Sequence, residues 1–434
     1  MTTGGGDTGA MGRFIVAPNG PLAGTIEAGG AKNSALKLMA ACLLAEGRHV
    51  LSNVPRIVDV DIMAEVLEAL GATVTRLADG DLVIDTPSCD DLVPEAPYDL
   101  VERMRASVVV LGALLARCGH ARVSMPGGDD FGHRPIDIHL NALSAMGTTF
   151  VTRHGYVEGT VGAPGGTERL VGTRVVLEYP SHTATDNLLM AAALAKGTTV
   201  IENAAREPEV CDLAACLNAM GADVRGAGTS RIEVEGKDEL SAARHRVIPD
   251  RVVAACYLAA AGLAGGEVVV ADARPDHMEM LLRKLSAMGV HLEQTPDGLL
   301  AASDGRLHSS DVATLPYPGV ATDYQPFLVT MLAVADGVGI VTENLFYGRF
   351  RYVDELRRMG ADIRTEGHHA VVRGVARLSG APVRAPDIRA GAALVLAGLV
   401  ADGETEVSGA HHVDRGFEDL AASLRSLGAK VERR

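Results

Sequence analysis

Tryptophan is absent from this chain of 434 residues, and all aromatics together make up only 3%. So few rings leave little on which to stack nucleobases, which argues against a surface for single-stranded nucleic acid. Positive charge is also short: 40 Lys and Arg face 55 Asp and Glu, a formal net charge of −15. Phosphate backbones are held by dense Lys and Arg, so broad nucleic-acid binding is excluded and any basic site must be local. The six cysteines (Cys42, Cys89, Cys118, Cys211, Cys216, Cys256) contain no Cys-x-x-Cys pair, so neither a zinc knuckle nor a disulfide framework is expected. No apolar run reaches membrane-spanning length without glycine or charge, and no membrane partner is expected. The start, Met-Thr-Thr-Gly-Gly-Gly-Asp, lacks the basic and apolar parts of a signal peptide, so the expected location is cytoplasmic.

What is abundant is glycine (49 residues) and small apolar residues, within a composition that is 47% apolar. A chain of this length exceeds one ordinary core, and two domains are the natural expectation. One pattern returns six times after Phe14-Ile15-Val16. An Ala/Leu-rich helix ends in glycine, a short β-rich run and a loop follow, and then an amphipathic helix ends in Met-Gly or Leu-Gly before another short strand. The first copy runs from LMAACLLAEGRHVLSNV to LEALGATV, the third from LLMAAALAKGTTVIENA to LNAMGADV, and the sixth from LVLAGLVADGETEVSGA to LRSLGAKV. Marker glycines lie 24 apart in three copies (47 to 71, 197 to 221, 265 to 289). Six such units make three per domain, α/β in class, with the Ala-rich helices inside and the sheets outside. A break is expected near residues 244–250.

The second copy departs: its markers, Gly119 and Gly147, are 28 apart, so four residues have been added. The addition falls in residues 126–139, Pro-Gly-Gly-Asp-Asp-Phe-Gly-His-Arg-Pro-Ile-Asp-Ile-His. Three glycines there let the chain turn sharply and approach a ligand, and Asp129, Asp130, His133 and Arg134 supply acid and anion-clamping groups. A solvated acidic turn is the plain alternative. Insertions in a single repeat copy more often bind or catalyse, because the scaffold does not need them.

These motifs resemble a known family. GGAKNSALKLMAACLLAEG (29–47), the PGG…RPIDIH loop, ENAAREPEV (202–210), TDYQP (322–326), ENLFYGRFRY (343–352), DIRA (387–390) and HHVDRGF (411–417) occur in order over nearly the whole chain. Together they resemble the UDP-N-acetylglucosamine enolpyruvyl transferases, which open peptidoglycan synthesis. The resemblance implies two inside-out α/β barrel domains of three repeat units each. The expected boundaries are 32–247 for the domain carrying the Asp129 loop, and 13–31 plus 248–434 for the second, after a disordered 1–12. It also implies transfer of the enolpyruvyl group of phosphoenolpyruvate to a hydroxyl of a uridine nucleotide, with UDP-N-acetylglucosamine favoured, and no metal or organic cofactor.

An acidic protein can hold phosphates and a carboxylate only with a focused set of cations. The candidates are Lys32, Arg105, Arg134, Arg349, Arg389 and Arg415, each inside or beside a resemblance motif; for any one of them alone, a surface ion pair is the plain reading. Position by position, the resemblance makes Lys32 and Arg415 phosphoenolpyruvate ligands at the reacting centre and puts Arg134 on the phosphate. Arg105 and Arg389 become further anion contacts, and Asn33 a hydrogen-bonding partner of the acceptor. Uridine recognition is implied for Arg134, Pro135, Ile136, Asp137 and Ile138, with further substrate contacts at Ser181, His182, Thr183, Leu345 and Arg349. The reaction needs one proton delivered to a methylene carbon, one removed from the attacking hydroxyl, and a stabilised cation between. Asp323 resembles the base and Asp387 the cation-stabilising carboxylate, although either could simply cap the helix after it.

Three departures stand out. Most members carry cysteine where this chain has Asp129, the general acid and the thiol that fosfomycin alkylates. An ordinary aspartic acid has a pKa of about 4, so acting as acid near neutrality requires burial or the neighbouring Asp130 to raise it against Arg134. Asp129 is therefore expected to remain the acid, and the enzyme to be insensitive to fosfomycin. Ser181-His182-Thr183-Ala184-Thr185 stands where the family shows Ser-Val-Gly-Ala-Thr, and Tyr347 where it shows glutamate. These changes keep open a different acceptor, such as UMP in nucleoside-antibiotic synthesis. A silent nucleotide-sensing paralogue is disfavoured because every charged role has an occupant, and the shikimate-pathway cousin lacks the RPIDIH signature.

Overall fold

The structure is a computed structural model that describes residues 12–125, 136–162 and 169–434. The chain divides into two compact units. Of the described residues, one takes in 29–125, 136–162 and 169–249 and the other 12–28 with 250–434, so the chain passes between them at 28/29 and again at 249/250.

The marker glycines explain how each repeat is punctuated. All of them have positive φ, from 70° at Gly119 to 113° at Gly47, a conformation that costs other residues and ends a helix cleanly. After each buried helix the chain turns back as a strand. In the unit of residues 29–249 this gives three four-stranded sheets built on the same plan. Gly47–Ser52 pairs antiparallel with Leu82–Thr86 and parallel with Arg244–Arg246, in register Arg244↔Val50. That parallel strand comes from the end of the unit, so the last segment closes the ring of repeats onto the first. His120–Ser124 and Thr198–Glu202 hold the same places in the other two sheets, beside Glu95–Ala96 and Arg174–Val176.

The second unit repeats the plan with sheets built on Gly266–Ala271, Val338–Thr342 and Thr405–Ser408. The amino-terminal strand Arg13–Ala17 lies between Thr405–Ser408 and the carboxy-terminal strand Lys430–Arg433. A two-stranded pair, Leu378–Ser379 with Ala401–Asp402, is added beside it.

Inside the sheets lie the repeat helices. Gln325–Ala333 and Ile388–Leu399 are buried at every position, and Arg251–Ala264 at all but its last. Helices apolar on all sides can only be interior, and their alanines let neighbours approach closely. Each unit is thus an inside-out α/β barrel, with helices at the core and sheets as the wall. No helix among the described residues is long and apolar enough to cross a membrane.

Candidate functional site

In the unit of residues 29–249, the candidate site is built on the amino-terminal turn of the helix Lys32–Ala41. Gly29 enters with φ 66°, and a Cβ on Gly30 would sit 1.7 Å from the Asn53 carbonyl oxygen, so only glycine permits this approach. Ala31 N then donates to Ile248 O at 2.8 Å, which pins the start of the helix. Lys32 is buried and its ammonium forms an ion pair with buried Asp59 of the helix Val58–Ala69. Asn33 next to it is half-buried. Ser34 Oγ donates to Asp212 Oδ2, and His245 Nε2 lies 2.7 Å from Asp212 Oδ1.

Arg105 begins the short helical turn Arg105–Val109 and is half-buried. Ile136, Asp137 and Ile138 form the entry to the helix Asp137–Ala145, with Ile136 buried against Val108 and Val157 and Asp137 exposed. Buried His139 follows, and its Nδ1 faces Asn187 Nδ2 at 2.9 Å. Burial, with the Arg105 guanidinium adding to it against an opposing pull from Asp137, brings the His139 ring down to about 4, so it is neutral at physiological pH. Its Nδ1 therefore accepts from the Asn187 amide, which also donates to Val108 O at 3.1 Å and accepts from Gly112 N at 2.8 Å. Ser181 caps the helix His182–Ala193, with Oγ accepting from Ala184 N, and His182 and Thr183 follow, both half-buried.

In the other unit, Asp323 is the centre. It lies in the short turn Thr322–Tyr324, and its carboxylate is gripped from two directions. Arg349 Nη2 donates to Oδ1 at 3.1 Å and Arg389 Nε to Oδ2 at 3.3 Å. Both arginines are buried, Arg349 to 2% exposure and Arg389 to 4%. Asp323 does not cap the helix that follows, whereas Asp387 does cap its own, with Oδ1 accepting from Arg389 N at 2.8 Å and Ala390 N at 3.0 Å. Arg349 is held charged: burial opposes its charge, and Asp387, Asp323 and Glu343 together override it. Arg389 Nη1 is buried and has no hydrogen-bond partner among the described residues. Arg415, half-buried, follows the short helix Ala410–Asp414.

Leu345 sits in the loop after the strand Val338–Thr342, and buried Glu343 shapes that loop. Glu343 Oε1 accepts from Leu345 N at 2.8 Å, Phe346 N at 3.2 Å and Thr314 Oγ1 at 2.8 Å, while Oε2 accepts from Thr322 Oγ1 at 2.9 Å. One carboxylate thus ties the Leu345 loop to the residue before Asp323. Tyr347 projects from the loop, 76% exposed, edge-on to His368 at 5.7 Å. Sequence reasoning gave Glu343 and Asp59 no role. Glu343 lay inside a quoted motif without any sign that it was buried, and Asp59 carried no distinguishing signal.

Asp129, Arg134 and Pro135 lie outside the described residues, as do residues 1–11, where a disordered start was expected. Among the described residues no group of three or more His, Cys, Asp or Glu is arranged to hold a metal ion.

Residues 16–424 match the family model described as EPSP synthase (3-phosphoshikimate 1-carboxyvinyltransferase). The UDP-N-acetylglucosamine 1-carboxyvinyltransferase of Mycobacterium leprae is 48% identical over 421 residues, covering 97% of this chain and 99% of the relative. That of Nocardia farcinica is 48% identical over 426 residues, covering 97% and 98%. Among solved structures, the enolpyruvyl transferase NikO from Streptomyces tendae superposes with a TM-score of 0.85 at 26% identity, covering 97% of this chain and 98% of its own. EPSP synthase from Acinetobacter baumannii, at 0.74 and 20% identity over 98% and 100% of the two chains, shares the fold.

Proposed function

Because the chain belongs to the UDP-N-acetylglucosamine 1-carboxyvinyltransferase family, we propose that it transfers the enolpyruvyl group of phosphoenolpyruvate to the GlcNAc 3-hydroxyl of UDP-N-acetylglucosamine, releasing phosphate. This is the first committed step of peptidoglycan synthesis. Relatives of that activity are nearly half identical from end to end, a much closer match than NikO at 26%.

The observation that carries the reading is the clamp on Asp323. Two buried guanidiniums hold one carboxylate, and Arg389 keeps a buried nitrogen without a hydrogen-bond partner among the described residues. Buried donors left unsatisfied are costly, so an anionic ligand oxygen is the natural partner for that nitrogen. Asp323 takes the proton from the attacking hydroxyl, and its orientation is set by the two arginines rather than by its own freedom. Lys32 and Arg415 bind phosphoenolpyruvate at the reacting centre, with Arg134 on its phosphate and Arg105 and Arg389 as further anion contacts. Asp129 delivers the proton to the methylene carbon in the addition, and in the elimination that follows a proton leaves that same carbon as the carbon–oxygen bond to phosphate breaks, which restores the double bond and releases phosphate. The Asp387 oxygen not used in the helix cap stabilises the cation that forms at the neighbouring carbon. Asn33 and the residues from Ile136 to Ile138 hold the acceptor.

The test is phosphate release from phosphoenolpyruvate with UDP-N-acetylglucosamine, UMP and shikimate 3-phosphate in parallel, each product identified by mass. Turnover with the nucleotide sugar is expected. Turnover with UMP alone would overturn the acceptor assignment and make His182, Thr183 and Tyr347 the residues of a changed specificity.

A further inference from the structure

The helix Lys32–Ala41 carries a second buried lysine, Lys37, one turn beyond Asn33. Its ammonium donates back to the Asn33 carbonyl oxygen and lies 3.7 Å from Asp186 Oδ2, an ion-pair distance too long for a hydrogen bond. Asp186 belongs to the helix His182–Ala193, is 0% exposed, and neither of its oxygens has a hydrogen-bond partner among the described residues. The titratable groups facing it are Lys37 from one helix, His182 from its own, and Glu207 and Glu209 from the start of the helix Pro208–Ala219. His182 Nε2 is 3.5 Å from the same Oδ2. The ring that departs from the family pattern therefore reaches a buried carboxylate that a smaller side chain would not touch.

A buried carboxylate without hydrogen bonds stays ionised only through its charged neighbours. Burial pushes the Asp186 carboxyl up to about 7; Lys37 pulls against this, and Glu207 and Glu209 add to it. The charge that holds Lys37 is thus present above neutrality and lost below it.

We propose that Asp186 is a positioning residue: ionised, it anchors Lys37, Lys37 tethers the Asn33 carbonyl, and the first turn of the helix then presents Lys32 and Asn33 to substrate. When Asp186 takes up a proton, the ion pair that anchors the Lys37 ammonium is lost, and the tether on the Asn33 carbonyl is no longer fixed in place. The inference rests on the reading of Lys32 and Asn33 as substrate ligands. Asp186 acts through them and does not touch substrate.

The test is steady-state kinetics of the full chain with phosphoenolpyruvate and UDP-N-acetylglucosamine between about pH 6 and about pH 8.5, with calorimetric titration of the nucleotide sugar alongside. In the wild type, KM and Kd for the nucleotide sugar should rise by about tenfold as pH falls through neutrality, with a smaller change in kcat. Asp186→Asn should hold the raised values at every pH, and Asp186→Glu should restore the lower ones above neutrality. A wild-type KM with wild-type pH dependence in Asp186→Asn, whatever its melting temperature, would reduce Asp186 to a structural role and overturn the proposal. If the single variant does not fold, the pair Asp186→Asn with Lys37→Met leaves no buried charge unmatched and must show the same flat, raised profile; a wild-type profile overturns the proposal equally. Failure of the underlying reading looks different: the wild type would neither bind nor turn over the nucleotide sugar, and the profile is then read on whichever acceptor turns over.

Discussion

Arg349 Nη2 donates to Asp323 Oδ1 at 3.1 Å from a position that is itself almost wholly buried. With Arg389 on the other oxygen, the Asp323 carboxylate has its orientation set by groups from two other elements. Replacing it by asparagine keeps the shape and removes the base. Asp323→Asn should lower kcat by about a hundredfold to ten-thousandfold, the usual range for a positioned general base, with a far smaller change in KM for the nucleotide sugar. Circular dichroism confirms that the variant is folded; near wild-type kcat would take Asp323 out of the chemistry.

Asp129 is proposed as the acid in place of a thiol, so incubation with fosfomycin should leave activity undiminished over time and add no mass to the protein. Asp129→Asn should lose most of its turnover while still binding the nucleotide sugar. Full activity in that variant, or time-dependent covalent inactivation of the wild type, would assign the proton transfer elsewhere.

The Glu343 carboxylate accepts from two threonine hydroxyls and two backbone N–H groups in a buried site. Removing it strands four donors. Hydrogen bonds to a charged group contribute about 1.5–3 kcal/mol each and are not additive, so Glu343→Ala should cost about 3 kcal/mol or more in denaturant unfolding. Glu343→Gln keeps the shape and should cost less. Because Thr322 precedes Asp323, both variants should also lower kcat, the alanine more than the glutamine.

His139 ties a pH dependence of stability to the fold. Its folded value, about 4, lies below the ordinary 6.5, so the unfolded chain binds the proton more readily. The stability this group contributes is fully present above about pH 6.5 and is lost progressively as pH falls from there towards about 4. Denaturant midpoints measured across that window should fall with pH in the wild type and fall less steeply in His139→Gln. An equal slope in both would place the acid sensitivity in other groups.

How much of this was legible in advance differs by residue. The repeats were, because an interior helix must be apolar on all sides and a sharp exit from it calls for glycine, so both leave marks at fixed spacing. The residue types of the site were legible too, since Lys32, Asp323, Arg389 and Arg415 stand inside recognisable runs. What each of them does locally was not. Asp323 and Asp387 offered the same two readings, helix cap or chemistry; the structure shows Asp387 capping its helix while Asp323 is turned to the arginines. Lys37, Asp59, Asp186 and Glu343 gave no sign at all, because a charged letter in a sequence does not say whether its side chain is buried.

Sequence alone therefore determined the α/β class, the six repeats, the family and the chemical kinds of group available, all of which are written in local periodicity and short motifs. Tertiary structure decided the pairings: Lys32 with Asp59, Lys37 with Asp186 and Asp323 with Arg349 and Arg389. The physical reason is burial. Away from water every charge must be matched by another or neutralised, and which partner it meets is set by how the helices pack rather than by how far apart the residues stand in the chain.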